Sequence, residues 1–303
     1  MLRSLKDLER YKVSATDGDI GSVADFLMDD RRWVIRYLVV DTGGFLGGRR
    51  VLITPMAFRQ ADYSASRFRL KLTMDKVKNS PSANLDLPVS RQYERLYTNY
   101  YGYPYYWEYG GLWGRGRSPG GVASDAPDLP LNPPGEPPSD AHLRSAKSVT
   151  GHHMEATDGS IGHVKDFIID DETWAVRYMV IATSNWWPGK SVLIAPEWTT
   201  RISWLDRKVY LAMTRDAVRS SPEWSATYPV ERDYEAQLYR HYAGIPGWAA
   251  CDRSLEKVNP PTADQVLANA TEMRDAWVAR HEEEQLRSAD AAVVGAAREA
   301  RMP

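Results

Sequence analysis

The stretch ATDGDIGSVADFLMDDRRWVIRYLVVDTGGFLGGRRVLITP, residues 15–55, decides the fold, because residues 156–196 repeat it as ATDGSIGHVKDFIIDDETWAVRYMVIATSNWWPGKSVLIAP. The two copies align without a gap at an offset of 141 residues. The same register extends over residues 2–81 and 143–222, where about 31 of 80 positions are identical. A repeat of this kind has to be interpreted first, because it sets the architecture of the whole chain.

Each copy has the pattern of several short strands. An Asp-Gly pair, at Asp17-Gly18 and again at Asp158-Gly159, separates strand-like segments and is typical of a tight hairpin. Segments rich in β-branched and aromatic residues follow and favour strands over helices. In the first copy the predicted strands are Ile20–Met28, Trp33–Val40, Val51–Ile53 and Arg67–Leu72. Thr73 and Thr214 are placed to cap short helices. The fold class is therefore mainly β, with each copy forming a small barrel or sheet roll.

The composition excludes several classes of function. At 303 residues the chain is long enough for two small cores. A net charge of −2 argues against nucleic-acid binding that depends on neutralising many phosphates. The single cysteine, Cys251, allows no internal disulfide, and no apolar run is long enough to span a membrane. We therefore expect a cytoplasmic protein without a transmembrane segment, and peripheral membrane association stays open.

Two cross-strand ion pairs are predicted from the turn after the first long strand. If that turn is centred between Asp30 and Arg31, Asp25 lies opposite Arg36. The second copy repeats the arrangement with Asp166 and Arg177. A charged residue inside an apolar strand needs a partner, and such a pair is worth roughly 0.2–1 kcal/mol. A general acid beside an activating arginine is the alternative, which we consider weaker because no other catalytic group lies nearby in sequence.

An aromatic segment follows the first copy. A short helix ending in a Gly-x-Pro turn is predicted after each copy. Residues 88–94 match residues 229–235 in register, and after a one-residue shift Leu96-Tyr97 matches Leu238-Tyr239. Nine of the seventeen residues in the aromatic segment, Tyr97–Trp113, are Tyr or Trp. It could stack on bases, anchor a protein interface, or pack back on its own barrel. The candidate partner-binding residues are Tyr100, Tyr101, Tyr103, Tyr105, Tyr106, Trp107, Trp113, Trp186 and Trp187.

The remaining stretches complete the domain organisation. Residues 114–140 are rich in Pro, Gly and polar residues and are typical of a disordered linker. Beyond Pro260-Pro261, helical spacing predicts an α-helix that runs to about residue 301. The predicted division is residues 1–81 and 141–222 for the barrels, 82–113 and 223–251 for the extensions, 114–140 for the linker and 252–303 for the helical tail.

Motifs that would indicate catalysis, a cofactor or a metal are weak. Gly189-Lys190-Ser191 resembles the end of a phosphate-binding loop, but a strand follows it instead of a helix. His142, His152, His153 and His163 occur in the second copy alone, and we expect them in turns or on the surface. We therefore predict no catalytic residue, no cofactor and no metal site.

The acidic turn, the Trp-x-x-Arg-Tyr strand (Trp33, Arg36 and Tyr37, repeated at 174, 177 and 178) and the Val-Leu-Ile-x-Pro strand resemble the PRC-barrel family. The resemblance covers residues 2–81 and 143–222 and implies two small six-stranded barrels. The family includes the cytoplasmic domain of the photosynthetic reaction-centre H subunit and the C-terminal domain of a ribosome maturation factor. In both, the barrel is chiefly a docking module.

Three functional hypotheses arise from the resemblance and the missing motifs. The first is a non-catalytic scaffold or adaptor that binds protein partners, its two barrels either tethered by the linker or packed together as a pseudo-dimer. The second is an H-subunit-like role beside membrane electron transfer, in which acids such as Asp29-Asp30 and Asp170-Asp171 relay protons. The third is RNA processing or ribosome assembly. Self-association is compatible with the first.

Overall fold

The fold is mainly β and consists of two seven-stranded sheets, each centred on one copy of the repeat. The computed structural model describes residues 1–82, 89–107, 111–114, 116–121, 142–183, 190–226 and 230–243. The first repeat contains strands β1 (Leu2–Ser4), β2 (Lys12–Ser14), β3 (Asp19–Asp29), β4 (Val34–Asp41), β5 (Arg50–Ile53), β6 (Phe58–Asp62) and β7 (Arg67–Leu70), with helices α1 (Leu5–Leu8), α2 (Met74–Lys78) and α3 (Arg91–Tyr101). The second repeat contains β8 (Leu143–Ser145), β9 (His153–Ala156), β10 (Gly159–Asp170), β11 (Val176–Ala182), β12 (Ser191–Ile194), β13 (Thr199–Ser203) and β14 (Lys208–Leu211), with α4 (Ala146–Val149), α5 (Arg215–Arg219) and α6 (Arg232–Ala243).

Both sheets have the same strand order. Sheet 1 runs β5-β4-β3-β2-β7-β6 and sheet 2 runs β12-β11-β10-β9-β14-β13. Neighbours are antiparallel except for β2–β7 and β9–β14, which are parallel. The predicted helix caps are confirmed: the Thr73 hydroxyl accepts a hydrogen bond from the Lys76 backbone, and Thr214 does the same for Ala217. The predicted β-class and the repeated architecture are therefore confirmed.

The first strand of each repeat lies in the sheet of the other repeat. β1 pairs with β10, through Leu2↔Asp170, and β8 pairs with β3, through Leu143↔Asp29. We call each exchanged strand with its following helix an arm: arm 1 is β1 with α1, and arm 2 is β8 with α4. The exchange is reciprocal, so the two repeats are related as the subunits of an isologous dimer. The sequence left open whether the repeats pack together, and the structure shows that they do.

The hairpin tips of the two repeats also contact one another. Ile35 N donates to the Trp174 carbonyl over 2.8 Å, and Val176 N donates to the Trp33 carbonyl over 2.7 Å. Val34 and Ala175 lie opposite each other between these two bonds. With the two arms, this tip contact forms what we call the seam between the repeats.

The turn between β3 and β4 is longer than the sequence predicted. The Asp29 carboxylate accepts hydrogen bonds from the backbone of Arg31 and Arg32, and Trp33 takes a left-handed conformation with φ 53°. A bulge in β4, in which Arg36 is the extra residue, shifts the register by one more position. Asp25 therefore lies opposite Val39, and the predicted alignment of Asp25 with Arg36 is wrong.

The predicted register of the second repeat is wrong in the same way. Asp170 accepts the turn bonds from Glu172 and Thr173, and Trp174 has φ 60°. Asp166 then lies opposite Val180 instead of Arg177. The same error in both copies has two causes: a turn of four residues that uses the side chain of the preceding aspartate, and a bulge in the strand that follows the turn.

The helix after each barrel is confirmed, with a simpler register than predicted. Tyr93 and Tyr234 donate their hydroxyls to Pro81 and Pro222 in matching positions, at 2.9 and 3.1 Å. Further along, the Tyr100 hydroxyl and His241 Nε2 contact the carbonyls of Lys76 and Ala217, again at an offset of 141. The offset therefore holds through both helices, and the predicted one-residue shift after Glu94 is wrong. The extra residue lies at the end of α6, which has 12 residues against 11 in α3.

The outer stretches of the predicted organisation are described only in part. Pro119–Gly121, within the predicted linker, forms a 3-10 turn whose Pro119 is buried. The rest of that linker beyond residue 121 and the predicted C-terminal helix lie outside the described residues. No helix within the described ranges is long and apolar enough to cross a membrane.

Candidate functional site

Helix α3 carries the acid at the centre of the candidate site. Ser90 caps its first turn, accepting from Tyr93 N over 3.2 Å, and Gly102 ends it with φ 72°. The buried face of the helix includes the charged residues Arg91 and Glu94 as well as Tyr97. Because this face packs on β4, Glu94 is placed against Tyr37, inside the protein.

Glu94 is fully buried and binds three donors. Its carboxylate accepts from the Tyr37 hydroxyl at 3.1 Å, the Tyr106 hydroxyl at 2.6 Å and Arg91 Nη1 at 3.0 Å. His142 Nε2 lies 3.4 Å from the same carboxylate. A buried carboxylate is costly unless it is paired and hydrogen-bonded, and this one is both.

The bonds around Tyr106 assign the protons. Its single hydroxyl proton goes to Glu94, so its oxygen accepts from Arg91 Nη1 at 3.2 Å and faces His142 Nε2 at 3.0 Å. His142 Nε2 must therefore carry a hydrogen. Burial raises the pKa of Tyr37 and of Tyr106 well above the usual value, and the negative charge of Glu94 raises both pKa values further. Both phenols thus stay protonated donors.

Arg36 occupies a second buried position beside this cluster. Its Nη2 and Nε lie 3.0 and 3.3 Å from Asp29 Oδ2, and Nη1 donates to the Leu112 carbonyl. The guanidinium lies over the rings of Tyr106 and Trp113, at 3.9 and 5.0 Å from the ring centres. Burial alone would raise the pKa of Asp29, but the charges of Arg36 and His142 and the hydrogen bonds from Arg32 and Arg36 together outweigh burial and lower that pKa. Arg36 and Asp29 thus form a closed ion pair.

Asp30 joins the cluster to the seam. Its backbone N–H donates to the His142 carbonyl over 2.9 Å, and its Oδ2 accepts from Arg144 Nε over 2.8 Å. Burial raises the pKa of the Asp30 carboxyl to about 6, against the lowering effect of Arg144. Asp30, next to the buried Asp29, is therefore bonded both to Arg144 of arm 2 and to His142, the residue before that arm.

The aromatic segment covers this cluster and reaches the other repeat. Gly111 O accepts from Arg32 Nη1 over 2.7 Å, and Trp113 Nε1 donates to the Thr173 carbonyl over 2.7 Å. Trp113 is completely buried. We call the set Asp29, Arg36, Tyr37, Arg91, Glu94, Tyr106, Trp113 and His142 the buried centre.

The second repeat has a smaller version of the same arrangement. Tyr178 donates to Glu235 over 2.7 Å, as Tyr37 does to Glu94, and Arg177 lies 3.6 Å from Glu235. The Glu235 side chain is 22% exposed, whereas that of Glu94 is 0% exposed. The carboxylate of Asp170, the counterpart of Asp29, takes hydrogen bonds from its own turn. Duplicated residues therefore have different surroundings.

The two predicted ion pairs are replaced by contacts across the seam. Asp25 accepts from the Ser145 hydroxyl and, over 3.2 Å, from Lys147 N. Arg36 pairs with Asp29 and Arg177 with Glu235, so the predicted pairs Asp25–Arg36 and Asp166–Arg177 are wrong. The physical reason is the longer turn together with the bulge after it, which changes the residue opposite each aspartate. The carboxylate of each aspartate instead bonds to the arm of the other repeat.

The predicted partner-binding aromatics divide into three groups. Tyr105, Tyr106 and Trp113 are buried, which corrects their assignment to an accessible binding surface. Partly exposed positions are Tyr100, Tyr101, Tyr103 and Trp107. Trp186 and Trp187 lie outside the described residues.

The sequence missed most of the buried centre. Arg91 and Glu94 are charged residues of a helix, a pattern typical of a solvent-exposed surface, yet both are buried. His142 was expected in a turn or at the surface, but it is only 2% exposed. His152 is also buried. A usable signal was the Tyr-Glu pair that both helices carry at Tyr93-Glu94 and Tyr234-Glu235.

The described residues include no group of three or more His, Cys, Asp and Glu side chains that could hold a metal ion. The charges of the buried centre instead neutralise one another: Arg36 with Asp29, and Arg91 with Glu94. Such a network suits a structural role, because each ionised group already has its partner.

Comparison with known proteins places the first repeat in a family. Residues 2–73 match the family model described as the PRC-barrel domain. No curated protein matches the chain. The second repeat has the same strand order as the matched one.

Proposed function

We propose that this chain, which contains a PRC-barrel domain, is a non-catalytic scaffold that binds protein partners through the outer surface of its joined repeats. The proposal rests above all on the reciprocal exchange of arms. Two repeats that supply strands to each other's sheets form one body, in which matching surfaces are held at a fixed spacing. A partner would meet this combined surface and not two independently tethered modules.

The chemistry of the buried centre supports a role without catalysis. Glu94 and Arg36 are fully buried and engaged with neighbours, and the phenols of Tyr37 and Tyr106 have raised pKa values. A general acid or base has to reach a substrate proton at hydrogen-bond distance. Groups enclosed in this way fit a network that fixes α3 and the aromatic segment in place.

The outer face of α3 is the surface we assign to a partner. Leu96 is 54% exposed, one of the few large apolar side chains in the described residues with such exposure. Tyr100 lies one turn further along, its hydroxyl bonded to the Lys76 carbonyl over 2.8 Å. The position that matches Leu96 in α6 is Gln237, which is polar. Exposed apolar and aromatic residues together are typical of interface cores.

Site-specific photo-crosslinking of the full chain in its native cells tests this assignment. A photoreactive residue placed at 96 should capture a protein partner, whereas the same residue at 237 on α6 is the matched control. Capture of one discrete protein at position 96 and much less at 237 is expected. Equal capture at both positions, or none at either, would contradict the assignment to α3.

The captured protein also separates the more specific roles. A reaction-centre component would favour the electron-transfer hypothesis, and a small-subunit ribosomal protein would favour ribosome assembly. Any other single protein would favour a general adaptor.

A further inference from the structure

The two arms carry the same contact residues. Arm 1 begins Leu2-Arg3-Ser4 and arm 2 begins Leu143-Arg144-Ser145. Arg3 Nε donates to Asp171 over 2.6 Å, and Arg144 Nε donates to Asp30 over 2.8 Å. The ionic contact of one arm therefore reproduces that of the other.

The receiving sites are duplicated as well. Asp166 accepts from the Ser4 hydroxyl and from Lys6 N at 3.1 Å, in the way that Asp25 accepts from Ser145 and Lys147. Each aspartate thus caps the first turn of the helix that arrives with the other repeat's arm. The arms also form backbone ladders, which depend little on side-chain identity, and Lys147 Nζ of arm 2 lies 3.7 Å from Glu9 Oε2 beside arm 1. Nothing in these contacts distinguishes an arm of the same chain from an arm of another copy.

The tip contact has the same property. Between Trp33 and Trp174 it consists of two matching backbone hydrogen bonds around the pair Val34 and Ala175. The ladder, ionic and tip contacts described above are made between repeats. The connection that joins the repeats in sequence adds one bond to the tip, from Trp113 Nε1 to the Thr173 carbonyl.

We propose that the seam is an exchange interface whose second occupant is another copy of this chain. Repeat 1 of one chain closes on repeat 2 of another, and the remaining repeats close on each other, so the dimer has two complete seams. Covalent connection gives the internal partner a high effective concentration, so the exchanged dimer gains population as the protein concentration rises. This goes beyond partner binding, because it lets the scaffold present four repeats.

Aromatic contacts favour closure between unlike repeats. Trp174 of repeat 2 packs on Phe58 and Phe68 of repeat 1, with ring centres 5.4 and 5.9 Å apart. Two second repeats could not reproduce this, because Thr199 and Val209 stand at the matching positions. Pairing of two first repeats would put the larger, charged side chain of Arg32 in place of Thr173, which is buried. The exchanged dimer therefore preserves the pairing of repeat 1 with repeat 2.

Cysteines at the tip contact distinguish the two arrangements. Val34 and Ala175 form a non-hydrogen-bonded antiparallel pair, whose Cα atoms are typically about 4.5 Å apart, within the range of a disulfide. One full-length chain carries Val34→Cys and a differently tagged one carries Ala175→Cys, both with Cys251→Ser. The two are mixed over a range of concentrations, with and without joint unfolding and refolding, and then oxidised.

The expected result is a disulfide-linked heterodimer whose fraction rises several-fold over a tenfold increase in concentration. A chain carrying both cysteines should close an intrachain disulfide at low concentration, which shows that the variants fold. Val34→Cys mixed with Ala65→Cys, an exposed turn position, measures random linkage. A heterodimer no more abundant than in that control, even after joint refolding, would overturn the proposal.

Discussion

Glu94 and Glu235 occupy matching helical positions, each accepts a tyrosine hydroxyl from the same strand of its own repeat, and yet their surroundings differ. Around Glu94 the aromatic segment adds Tyr106, and the residue that leads into arm 2 adds His142. Glu235 is partly exposed and has Arg177 as its ionic partner. The comparison teaches that duplication preserved the barrel and the seam, while the segment after each barrel decides whether the same carboxylate becomes a buried centre.

The largest difference in stability should appear when the carboxylates of Glu94 and Glu235 are removed in separate variants. Glu94→Ala leaves Arg91 buried without its partner and should lower the free energy of unfolding by about 3–5 kcal/mol. Glu235→Ala removes a partly exposed acceptor and should cost about 1 kcal/mol. Urea unfolding of both full-length variants measures the difference. Equal losses would mean that the two sites are energetically equivalent after all.

A pH dependence should come next in size. Burial raises the pKa of Asp30 to about 6 in the folded protein, above its ordinary value, so the folded state binds the proton more tightly than the unfolded state does. The resulting stabilisation is complete below about pH 4 and is lost as the pH rises through 6, a change of roughly 3 kcal/mol. Unfolding free energies between pH 4 and 7 should therefore fall with increasing pH.

Asp30→Asn should reduce this slope. It should not abolish it, because burial also raises the Asp166 pKa and that residue contributes with the same sign. Asp29, whose pKa is lowered, acts in the opposite direction, and at lower pH. An unchanged slope in Asp30→Asn would show that Asp30 titrates normally in the folded state.

Matching substitutions in the two halves of the seam should lower the stability by similar amounts, unlike the substitutions at Glu94 and Glu235. Asp25→Ala and Asp166→Ala each remove the acceptor of a serine hydroxyl and a backbone N–H from the opposite arm. Each should cost about 1.5–3 kcal/mol in thermal or urea unfolding. Asp7→Ala, at an exposed position of arm 1, is the control and should change stability by less than about 0.5 kcal/mol. A loss confined to one of the two aspartates would break the proposed equivalence of the arms.

The smallest effect concerns a contact that both repeats keep. Tyr93→Phe and Tyr234→Phe each delete a hydroxyl bonded to a proline carbonyl, at 2.9 and 3.1 Å. Each should cost about 0.5–1.5 kcal/mol, with similar values for the two. Paired denaturation curves provide the comparison. A clear difference between them would mean that the helices α3 and α6 are attached differently.

The sequence was a good guide wherever structure depends on neighbours in the chain. Alternating apolar residues, the Asp-Gly hairpin and the caps at Thr73 and Thr214 are local signals, and the structure confirms them. The predicted ion pairs were wrong because the turn after Asp29 depends on a side chain and on the left-handed Trp33. Neither feature shows in hydrophobic periodicity.

The exchange of the arms could not be predicted from the sequence for a different reason. Since Leu2–Ser4 and Leu143–Ser145 are identical, pairing within a repeat and pairing between repeats have the same sequence signature. The buried centre depends on the fold as a whole, because Glu94 meets His142 only after arm 2 enters sheet 1.

Amide hydrogen exchange of the native full-length chain tests the reciprocal seam most directly. We predict that those amides of Leu2–Ser4 and Leu143–Ser145 that bond to β10 and β3 are protected about as long as the amides of β3 and β10, since they belong to the same ladders. Exchange of both arms within seconds, while β3 and β10 stay protected, would contradict the account.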